Sequence, residues 1–418
     1  MRKAIVLVLW GMSFLTPTLA QFTYEKCGTE LLWQQNSTTW PELVDRRADL
    51  ETFTQNWINQ TDRVSLRDQV TIPVVVHVLW NEPVQNISRL QILSQIDILN
   101  EDFRMLNDNV RQIPLEFQEL AADVGIEFCL ASLDPNGNPT DGIVRTQTDY
   151  PCIGDFNTTT EFGTPRLFYS ELGGSSTWAP DRYLNVWVAP TCNAFLGFGF
   201  YPGQSINSEE DGIVVDNRYF GNVCNDGRQH HLGRTATHEV GHYFNLNHVW
   251  GRRGCEAEDD GVSDTPPQEK AYNGCPNHPQ VSCGSNDMFM NFMDYSDDAC
   301  IALFTEGQKM RMLAALHGPR AGLLTSNGCL LANSQPRDLS ITIFPNPTND
   351  CIHIDFNANF DGMIWVNLFD ASGKRHYEAR NNASNIRSID ASQLTEGIYF
   401  LHLSNNKTTI TEKVYIRK

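Results

Sequence analysis

The chain has 418 residues and a formal net charge of −19, with 31 Lys and Arg against 50 Asp and Glu. A nucleic-acid partner would require a basic surface, so this charge balance argues against one. The length exceeds one compact core, and hydrophobic residues make up 41% of the chain, which together predict two folded domains plus processed segments.

The N-terminal segment has the features of a secretory signal peptide. Arg2 and Lys3 give a positive start, an apolar stretch extends to Leu15, and the small Ala20 suits cleavage. The apolar run is too short for a good membrane-spanning helix. We therefore predict a signal peptide over residues 1–20 and a mature protein outside the cytoplasm, where most of the 11 cysteines should pair.

Residues 21–66 are rich in Gln, Asn, Thr, Asp and Arg with scattered Trp, so we expect weak structure and interpret them as a propeptide. A folded domain begins with the β-branched run Thr71–Trp80, which predicts a buried strand. Apolar residues then recur at the spacing of an amphipathic helix, at Ile92, Ile96, Leu99, Phe103 and Leu106. Further strands are predicted at Gly125–Leu130, Tyr183–Val188 and Gly212–Asp216.

Two more helices complete the central part of the chain. One is predicted over residues 234–246, and another starts at Thr305, which forms a capping-box pattern with Gln308. Around residues 325–337 the composition shifts to Ser, Asn, Gly and Pro, which is typical of a linker. We therefore predict an α/β (α+β) domain over residues 67–333, with a mixed sheet backed by helices.

After the linker the hydrophobic period changes to two. Short runs of alternating apolar and polar residues are separated by turn residues such as Pro345–Pro347. This pattern predicts a small all-β sandwich over residues 338–418. The alternating runs are Ile341–Ile343, Ile352–Phe356, Ile364–Leu368, Ile398–Phe400 and Val414–Ile416.

The segment from His238 to His248 carries the candidate chemistry. Residues four apart on a helix share a face, so His238 and His242 are placed to bind one Zn²⁺. Glu239 lies beside them and can accept a proton from metal-activated water and pass it to the leaving amine. A turn after the helix would bring His248 back as the third ligand. The open fourth position is typical of a catalytic rather than a structural zinc site.

A second element of the candidate site lies near Met293, which would give the imidazoles a soft apolar floor. Tyr295 is a candidate hydrogen-bond donor to the oxyanion of a tetrahedral intermediate. On their own a Met and a Tyr in a loop are more often plain packing residues. Their position after the histidine motif favours a role in the site.

The histidines and Met293 resemble the metzincin clan of zinc peptidases, and the surrounding sequence is similar to its pappalysin family. The resemblance extends roughly from Thr71 to Arg320. It implies a zinc endopeptidase that has an upper and a lower subdomain and acts on proteins or peptides. The most similar stretches are Val262–Pro266, Asn291–Cys300 and Phe304–Gln308.

The resemblance also has consequences for the loop after the third histidine. It implies disulfides that join Cys255 to Cys283 and Cys275 to Cys300. It implies calcium near this loop, which is dense in the hard oxygen ligands that Ca²⁺ prefers, with candidates Asp259, Asp260, Asp264 and Thr265. A solvated acidic loop is the alternative. The partners of the remaining cysteines stay open: Cys129, Cys152, Cys192, Cys224, Cys329 and Cys351.

Asn245 departs from the clan, which usually has Gly at the bend after the active-site helix. The bend needs a positive φ, which Gly accepts freely and Asn accepts better than other residues. The departure is therefore tolerable for placing His248.

In metzincins the chain after the Met-turn lines the pocket for the residue that follows the scissile bond. Here Ile301 takes that position, which predicts a preference for an apolar or medium-sized residue. A Lys or Arg buried against Ile301 would lose water without gaining a charge partner. Asp297 and Asp298 lie nearby and would support a basic preference if they turned inward.

Cys27 lies ahead of the folded domain and is followed by Gly28. A thiolate can occupy the open zinc position and displace the catalytic water, and the arrangement resembles the cysteine-switch latency of related metallopeptidases. A latency role for Cys27 would also explain the odd number of 11 cysteines. A disulfide to another cysteine is the alternative.

The C-terminal segment resembles the type A sorting domain of the type IX secretion system of Bacteroidetes. The resemblance implies that outer-membrane secretion machinery recognises this segment, that the protein is secreted or attached to the cell surface, and that the tail is later removed. An accessory sandwich for carbohydrate or protein binding is the alternative. The similar motifs are Phe344–Asp350, Leu368–Lys374, Leu394–Tyr399 and Lys413–Lys418.

The leading functional hypothesis is an exported zinc endopeptidase. A thermolysin-like site would instead take a distant Glu as third ligand, in which case His248 would be dispensable. A catalytically silent adhesin on the same scaffold is a different class of function. Glu239 argues against the adhesin, because a silent site has no need of a base.

Overall fold

The computed structural model describes residues 25–61, 69–205, 208–222, 230–252, 254–256, 260–329, 341–344, 346–348, 351–356, 363–382, 388–405 and 409–418. The predicted signal peptide, residues 1–20, lies outside these ranges, and so do Asp259 and Cys224. In the described part of the chain, no helix combines the length and apolarity needed to cross a membrane.

The helices and strands alternate through the first three quarters of the chain, and strands alone follow. The α-helices are α1 (Thr29–Thr39), α2 (Glu42–Gln60), α3 (Arg89–Phe103), α4 (Leu115–Gln118), α5 (Arg234–Tyr243) and α6 (Glu306–Leu316). The strands are β1 (Glu25–Cys27), β2 (Val70–Trp80), β3 (Ile126–Leu130), β4 (Ile143–Gln147), β5 (Leu184–Val188), β6 (Phe195–Gly199), β7 (Ile213–Val215), β8 (Ile341–Phe344), β9 (Cys351–Phe356), β10 (Met363–Asp370), β11 (Arg375–Asn382), β12 (Ser388–Asp390), β13 (Gly397–Ser404) and β14 (Thr409–Ile416). Short 3₁₀ helices lie at Pro83–Gln85, Asp108–Gln112, Ser170–Leu172, Ser208–Glu210, Gly254–Glu256 and Ala321–Thr325.

The first sheet has the order β1-β6-β7-β5-β2-β3, and β4 also pairs with β2. The long strand β2 pairs with β3 through its first half and with β4 through its second half. The pairs among β2, β3, β4, β5 and β7 are parallel, whereas β6 runs antiparallel to β7. Strands buried on both faces read as continuous apolar runs, which is why the sequence of β2 is dominated by Val, Ile and Leu.

The sheet is covered on both faces. The main core packs sheet residues such as Val76 and Val186 against Leu99 of α3, Val240 of α5 and Leu316 of α6. A second cluster on the other face contains Leu79, Phe168, Trp187 and Phe198, and it also receives Leu32 of α1. The mixed sheet with helices agrees with the predicted fold class.

Several elements differ from the sequence expectation in their extent. Helix α3 ends at Phe103, so Leu106 lies outside it and is exposed. Helix α5 ends at Tyr243 instead of Leu246, because Asn245 adopts a φ of +75° that stops the helix. The capping box at Thr305 is confirmed, since its hydroxyl accepts from the amide of Gln308 and the Gln308 side chain accepts from the amide of Thr305.

The expectation that residues 21–66 are weakly structured is wrong for the described part of this segment. Strand β1 pairs in parallel with β6, and helices α1 and α2 follow. Leu43 and Trp33 bury against Tyr201, a residue far away in sequence. Each of the two helices buries only three residues, so their sequences show little apolar periodicity, and packing on distant partners stabilises them.

The C-terminal strands form two small sheets of orders β11-β10-β13-β14 and β12-β9-β8. Alternate residues such as Ile364, Val366 and Leu368 of β10 are buried in a common core, as the period of two predicts. Strands β11 and β12 were missed, because β11 is almost entirely polar and β12 spans only three residues.

Disulfides tie the loops of the central part together. Two of them join Cys255 to Cys283 and Cys275 to Cys300, the pairing that the resemblance implies. Two others, which the sequence left open, join Cys129 to Cys329 and Cys152 to Cys192. Cys27 is buried and free.

Candidate functional site

Helix α5 carries three of the candidate site residues, and all of its residues are buried. His238 and His242 lie one turn apart on the same face. Asn245, at φ +75°, reverses the chain after the helix, and the amide of Leu246 donates to the carbonyl of Gly241 at 2.9 Å. This turn returns His248 to the same face. The three imidazoles therefore converge although one of them lies outside the helix.

The Nε2 atoms of the three histidines form a nearly equilateral triangle. The distances are 3.2 Å from His238 to His242, 3.1 Å from His242 to His248 and 3.2 Å from His248 to His238. A tetrahedral zinc ion with Zn–N bonds of about 2.0–2.1 Å requires ligand atoms about 3.3 Å apart. The observed edges are close to that requirement.

The tautomers of the histidines support a cation at the centre of this triangle. Nδ1 of His238 faces the carbonyl of Phe292 at 2.8 Å, and Nδ1 of His242 faces the carbonyl of Leu246 at 2.7 Å. Each Nδ1 must donate there, so each Nε2 presents a lone pair to the others. Burial lowers the pKa of His242 to about 3, so the ring stays neutral. Converging lone pairs repel one another unless a cation lies between them.

Glu239 lies beside the histidines and is fully buried. Its Oε2 accepts from Cys27 Sγ at 3.3 Å and from Thr29 Oγ1 at 3.2 Å. Its Oε1 has no hydrogen-bond partner among the described residues. Burial raises the pKa of Glu239 to about 8, against the hydrogen bonds from Cys27 and Thr29. A carboxylate with this pKa is suited to take and return a proton near neutral pH.

Cys27 brings the N-terminal segment into the site. Its Sγ and one ligand atom from each of the three histidines all lie within 4.8 Å of one another. Strand β1 holds it there, since Cys27 is in register with Gly197 and the amide of Gly28 donates to the Gly197 carbonyl at 2.9 Å. Burial raises the pKa of the thiol, and a bound divalent cation would instead favour the thiolate.

Met293 and Tyr295 lie below and beside the histidines. A Cβ atom at Gly241 would come within 2.5 Å of Met293 Sδ, so the absence of a side chain there lets the helix rest on the methionine. The ring centroid of Tyr295 is 5.8 Å from that of His238 and 5.1 Å from that of His248. Its hydroxyl lies 3.5 Å from the carbonyl oxygen of Cys27. The site therefore has an apolar floor and a phenol at its edge.

Three residues of this site were missed by sequence reasoning. Thr29 contacts Glu239, as described above. Trp250 stacks on His248 with the ring centroids 4.3 Å apart and the planes 10° from parallel. Lys26 is buried and donates from Nζ to the carbonyl of Ser296 at 2.9 Å. Lys26 and Thr29 acquire their partners only through the fold, so no local pattern marks them.

Lys26 lies in an acidic environment built by the chain after the Met-turn. Burial lowers its pKa, and the carboxylates of Asp298, Asp294 and Asp297 oppose that shift. Asp298 is fully buried, and its carboxylate accepts from the amides of Leu232 and Arg234 at the start of α5. Asp298 has therefore turned inward.

Ile301 is also fully buried, but within the main core beside Phe292 and Phe304. A cavity of about 1220 Å³ lies between helices α1 and α2 and the residues around the three histidines, and it reaches Cys27, His248 and Tyr295. Neither Ile301 nor Asp298 is among the residues that line it.

The candidate calcium ligands are engaged in hydrogen bonds within the protein. Asp260 Oδ1 accepts from the amide of Val262 and from the hydroxyl of Thr265 at 2.9 Å. Asp264 accepts from the hydroxyl of Thr305 at 2.7 Å and from the amide of Gly307 at 2.8 Å, at the N-terminus of α6. Among the described residues, Cys27 and the three histidines form the one group of His, Cys, Asp or Glu side chains close enough to share a metal.

Comparisons with known proteins agree with this geometry. Residues 171–317 match the family model described as pregnancy-associated plasma protein-A, and residues 342–417 match a secretion system C-terminal sorting domain. An extracellular metalloprotease of Arthroderma otae is 29% identical over 259 residues, which cover 60% of this chain and 80% of that protein.

Two solved structures from Tannerella forsythia are also similar. A promirolysin mutant is 39% identical with a TM-score of 0.63, and the match covers 72% of this chain and 97% of that one. Mature mirolysin in complex with a cleaved peptide is 41% identical with a TM-score of 0.57, and the match covers 62% of this chain and 96% of that one.

Proposed function

Since the chain belongs to the pappalysin family of metalloproteases, we propose that His238, His242 and His248 hold its catalytic metal and that this metal is zinc. The protein is a secreted metalloendopeptidase that acts on peptide substrates. The triangle of Nε2 atoms carries the zinc assignment, because its edges of 3.1–3.2 Å suit a single tetrahedral ion. It supports His248 as third ligand over a distant Glu.

In peptide-bond hydrolysis, Glu239 and Tyr295 would each have a separate role beside the metal. When bound, zinc would polarise the scissile carbonyl and lower the pKa of the attacking water. Glu239 accepts the proton of that water at its carboxylate and returns it to the leaving amine. The hydroxyl of Tyr295 donates to the carbonyl oxygen of the substrate as negative charge develops there. A catalytically silent adhesin would need none of these groups, and no similarity to such a protein supports that alternative.

The N-terminal segment makes the chain a zymogen in this proposal. Cys27 Sγ would occupy the fourth position of the zinc ion and exclude the attacking water. Thr29 also donates to Oε2 of Glu239, so the general base is occupied as well. The match to promirolysin covers 72% of this chain and that to mature mirolysin 62%, a difference of the order of the propeptide length. We assign residues 1–20 to the signal peptide, 21–66 to the propeptide and 67–333 to the catalytic domain.

The C-terminal domain of the chain accounts for its export. The C-terminal sorting domain indicates type IX export in a Bacteroidetes-type bacterium, which agrees with the extracellular location of the relatives. We assign this domain to residues 338–418. Its partner in the proposal is the outer-membrane secretion machinery, which would recognise the β-sandwich before the tail is removed.

The preference after the scissile bond has two competing determinants. Ile301 predicts an apolar or medium-sized residue, but its side chain is enclosed in the core. Asp298 has turned inward and lies in the acidic environment of Lys26, the condition under which a basic preference was expected. We propose that Asp298 outweighs Ile301, since a buried cation is stabilised by a nearby carboxylate.

Calcium remains a separate proposal for the loop that contains Asp260, Asp264 and Thr265. The oxygen-rich composition supports it, whereas the hydrogen bonds from Val262, Thr265 and Gly307 occupy part of these oxygens. Addition of Ca²⁺ to metal-free enzyme should then raise its melting temperature, and Asp264→Asn should remove that increase. An unchanged melting temperature on Ca²⁺ addition would rule the site out.

Digestion of casein by the matured enzyme tests the proposed function as a whole. We expect 1,10-phenanthroline to abolish hydrolysis, because it removes the metal, and we expect a stoichiometric amount of Zn²⁺ to restore it. A serine-protease inhibitor serves as the control and should have no effect. Full hydrolysis in the presence of the chelator, with no zinc left in the protein, would overturn the proposal.

A further inference from the structure

Helix α2 faces the turn between the second and third metal-ligand candidates. Three of its residues, Arg47, Glu51 and Thr54, are spaced four and three apart and so share one face of the helix. The catalytic part presents the turn Asn245–Asn247 and the side chain of Arg311 to this face.

Each of the three residues makes a polar contact with that surface. Arg47 Nη2 donates to Asn247 Oδ1 at 2.8 Å, and its guanidinium lies 3.7 Å from the ring centroid of Tyr201. Thr54, which is fully buried, accepts at Oγ1 from the side-chain amide of Asn245 at 3.2 Å. The helix therefore contacts both ends of the turn.

Glu51 reaches the same turn through an arginine. Both of its carboxylate oxygens accept from Arg311, each at 2.8 Å. The Arg311 side chain is only 1% exposed, and its Nη2 lies 3.4 Å from the carbonyl oxygen of Asn245. A bidentate pair of this kind fixes the orientation of the guanidinium, and so the position of the group that touches the turn.

Asn245 is the residue that makes the turn specific for α2. Its φ of +75° is the conformation in which Gly is usual, and Asn tolerates it at a modest cost. A Gly at this position would make the same turn but would offer no side-chain amide to Thr54. Asn245 thus makes a contact between the catalytic part and the N-terminal segment that Gly could not make.

We propose that helix α2 keeps the zymogen latent independently of Cys27, by holding the Asn245–Asn247 turn and with it His248. We call this contact the second lock. Asn245 is the residue of the turn through which α2 acts. The inference rests on the proposed latency of the N-terminal segment. In this proposal the α2 face that contacts the turn contributes to latency together with the Cys27 thiol. Release of the segment then requires both the sulfur and the α2 face to disengage.

The test compares Thr54→Val with the matched control Thr52→Val, which makes the same change on the exposed face of α2. Both positions lie in the proposed propeptide, so neither substitution changes the sequence of the mature product. Each substitution is made in the full chain with Asn245 and with Asn245→Gly. The first measurement is the rate of maturation, and the second is hydrogen exchange of the turn amides in a Glu239→Gln background, where no hydrolysis is needed.

With Asn245 present, Thr54→Val should speed maturation and turn exchange by about 2- to 10-fold, the effect of one hydrogen bond. Thr52→Val should change neither rate. In the Asn245→Gly chain, Thr54→Val should have no further effect, because the amide that it served is gone. Equal effects of Thr54→Val in both backgrounds, or equal effects of Thr54→Val and Thr52→Val, would overturn the proposal.

The exchange measurement separates this proposal from the catalytic one. If Glu239→Gln retains hydrolysis, the proposed mechanism fails, while the coupling between Thr54 and Asn245 can still be read from exchange. If the coupling is absent while Glu239→Gln is inactive, only the lock fails. Exchange of amides in α6 is the internal reference, since a general loss of stability would raise it too.

Discussion

The N-terminal and C-terminal segments of the chain are stabilised in different ways. The C-terminal strands bury Ile364, Leu368 and Leu401 in a core made of their own residues. Helices α1 and α2 have no such core, since Leu32 joins a cluster under the main sheet and Leu43 packs with Trp33 on Tyr201. The C-terminal segment has a core of its own, whereas the N-terminal segment depends on the enzyme that it covers.

This difference matches what each segment has to do. A sorting signal must be recognised and later removed without disturbing the enzyme, which favours a self-contained core. A propeptide must block the site and then leave, which favours many contacts with the enzyme and few within itself. The polar contacts of Lys26, Thr29 and Glu51 with the catalytic part follow this rule.

Deletion of residues 338–418 tests whether the catalytic domain folds and is exported without the C-terminal unit. We expect a folded catalytic domain that digests casein once it is released from cells, because no residue of the candidate site lies in the deleted segment. We also expect nearly all of the protein to remain inside the cell envelope. Fractionation of the culture measures this, and normal export of the truncated chain would contradict the sorting role.

Cys27→Ala tests the dependence of the N-terminal segment on the site. Loss of the thiolate ligand should speed maturation by more than the about 2- to 10-fold effect of one hydrogen bond. Thr29→Val is the companion variant, and it should have the smaller effect because it removes only one contact to Glu239. A disulfide at Cys27, found by mass spectrometry of the intact zymogen, would contradict the switch.

Two matched Leu→Ala substitutions compare how the N-terminal and C-terminal segments respond to the loss of one buried side chain. Leu43 and Leu401 are 1% and 0% exposed, so each change should cost about 2–5 kcal/mol at its own site. Leu401→Ala should lower the melting temperature of the C-terminal unit and leave maturation unchanged. Leu43→Ala should speed maturation and leave that unit unchanged. A single unfolding transition that shifts equally in both variants would remove the contrast.

Cleavage-site profiling of a denatured proteome measures which residue is preferred after the scissile bond, and so distinguishes Asp298 from Ile301 as its determinant. If Asp298 sets the preference, Arg or Lys should be enriched after the cut, and Asp298→Asn should weaken that enrichment. Asp297→Asn is the control, because its carboxylate influences the pKa of Lys26 less than that of Asp298 does. Enrichment of apolar residues would instead support Ile301.

The sequence was sufficient where the partners of a residue are close along the chain or recur with a fixed period. His238 and His242 share a helix, Thr305 and Gln308 form a capping box, and the C-terminal strands alternate. It was insufficient where a residue meets its partner only after folding. Thr29 lies 210 positions from Glu239, and Lys26 lies 270 positions from Ser296. Strand β6 was not predicted from the sequence because it contains two glycines, Gly197 and Gly199. The absence of side chains at these glycines lets β6 approach α5 closely.

Zinc-assisted hydrolysis with Glu239 as the base is tested by measuring zinc content and hydrolysis together in Glu239→Gln. Both proteins are treated with trypsin, which is then inhibited, and N-terminal sequencing verifies that the propeptide has been removed from each. We expect the variant to retain one equivalent of zinc, because the three histidines are untouched, and to hydrolyse casein roughly 10²–10⁴-fold more slowly than wild type. Turnover comparable to that of wild type in a zinc-loaded variant would contradict the account.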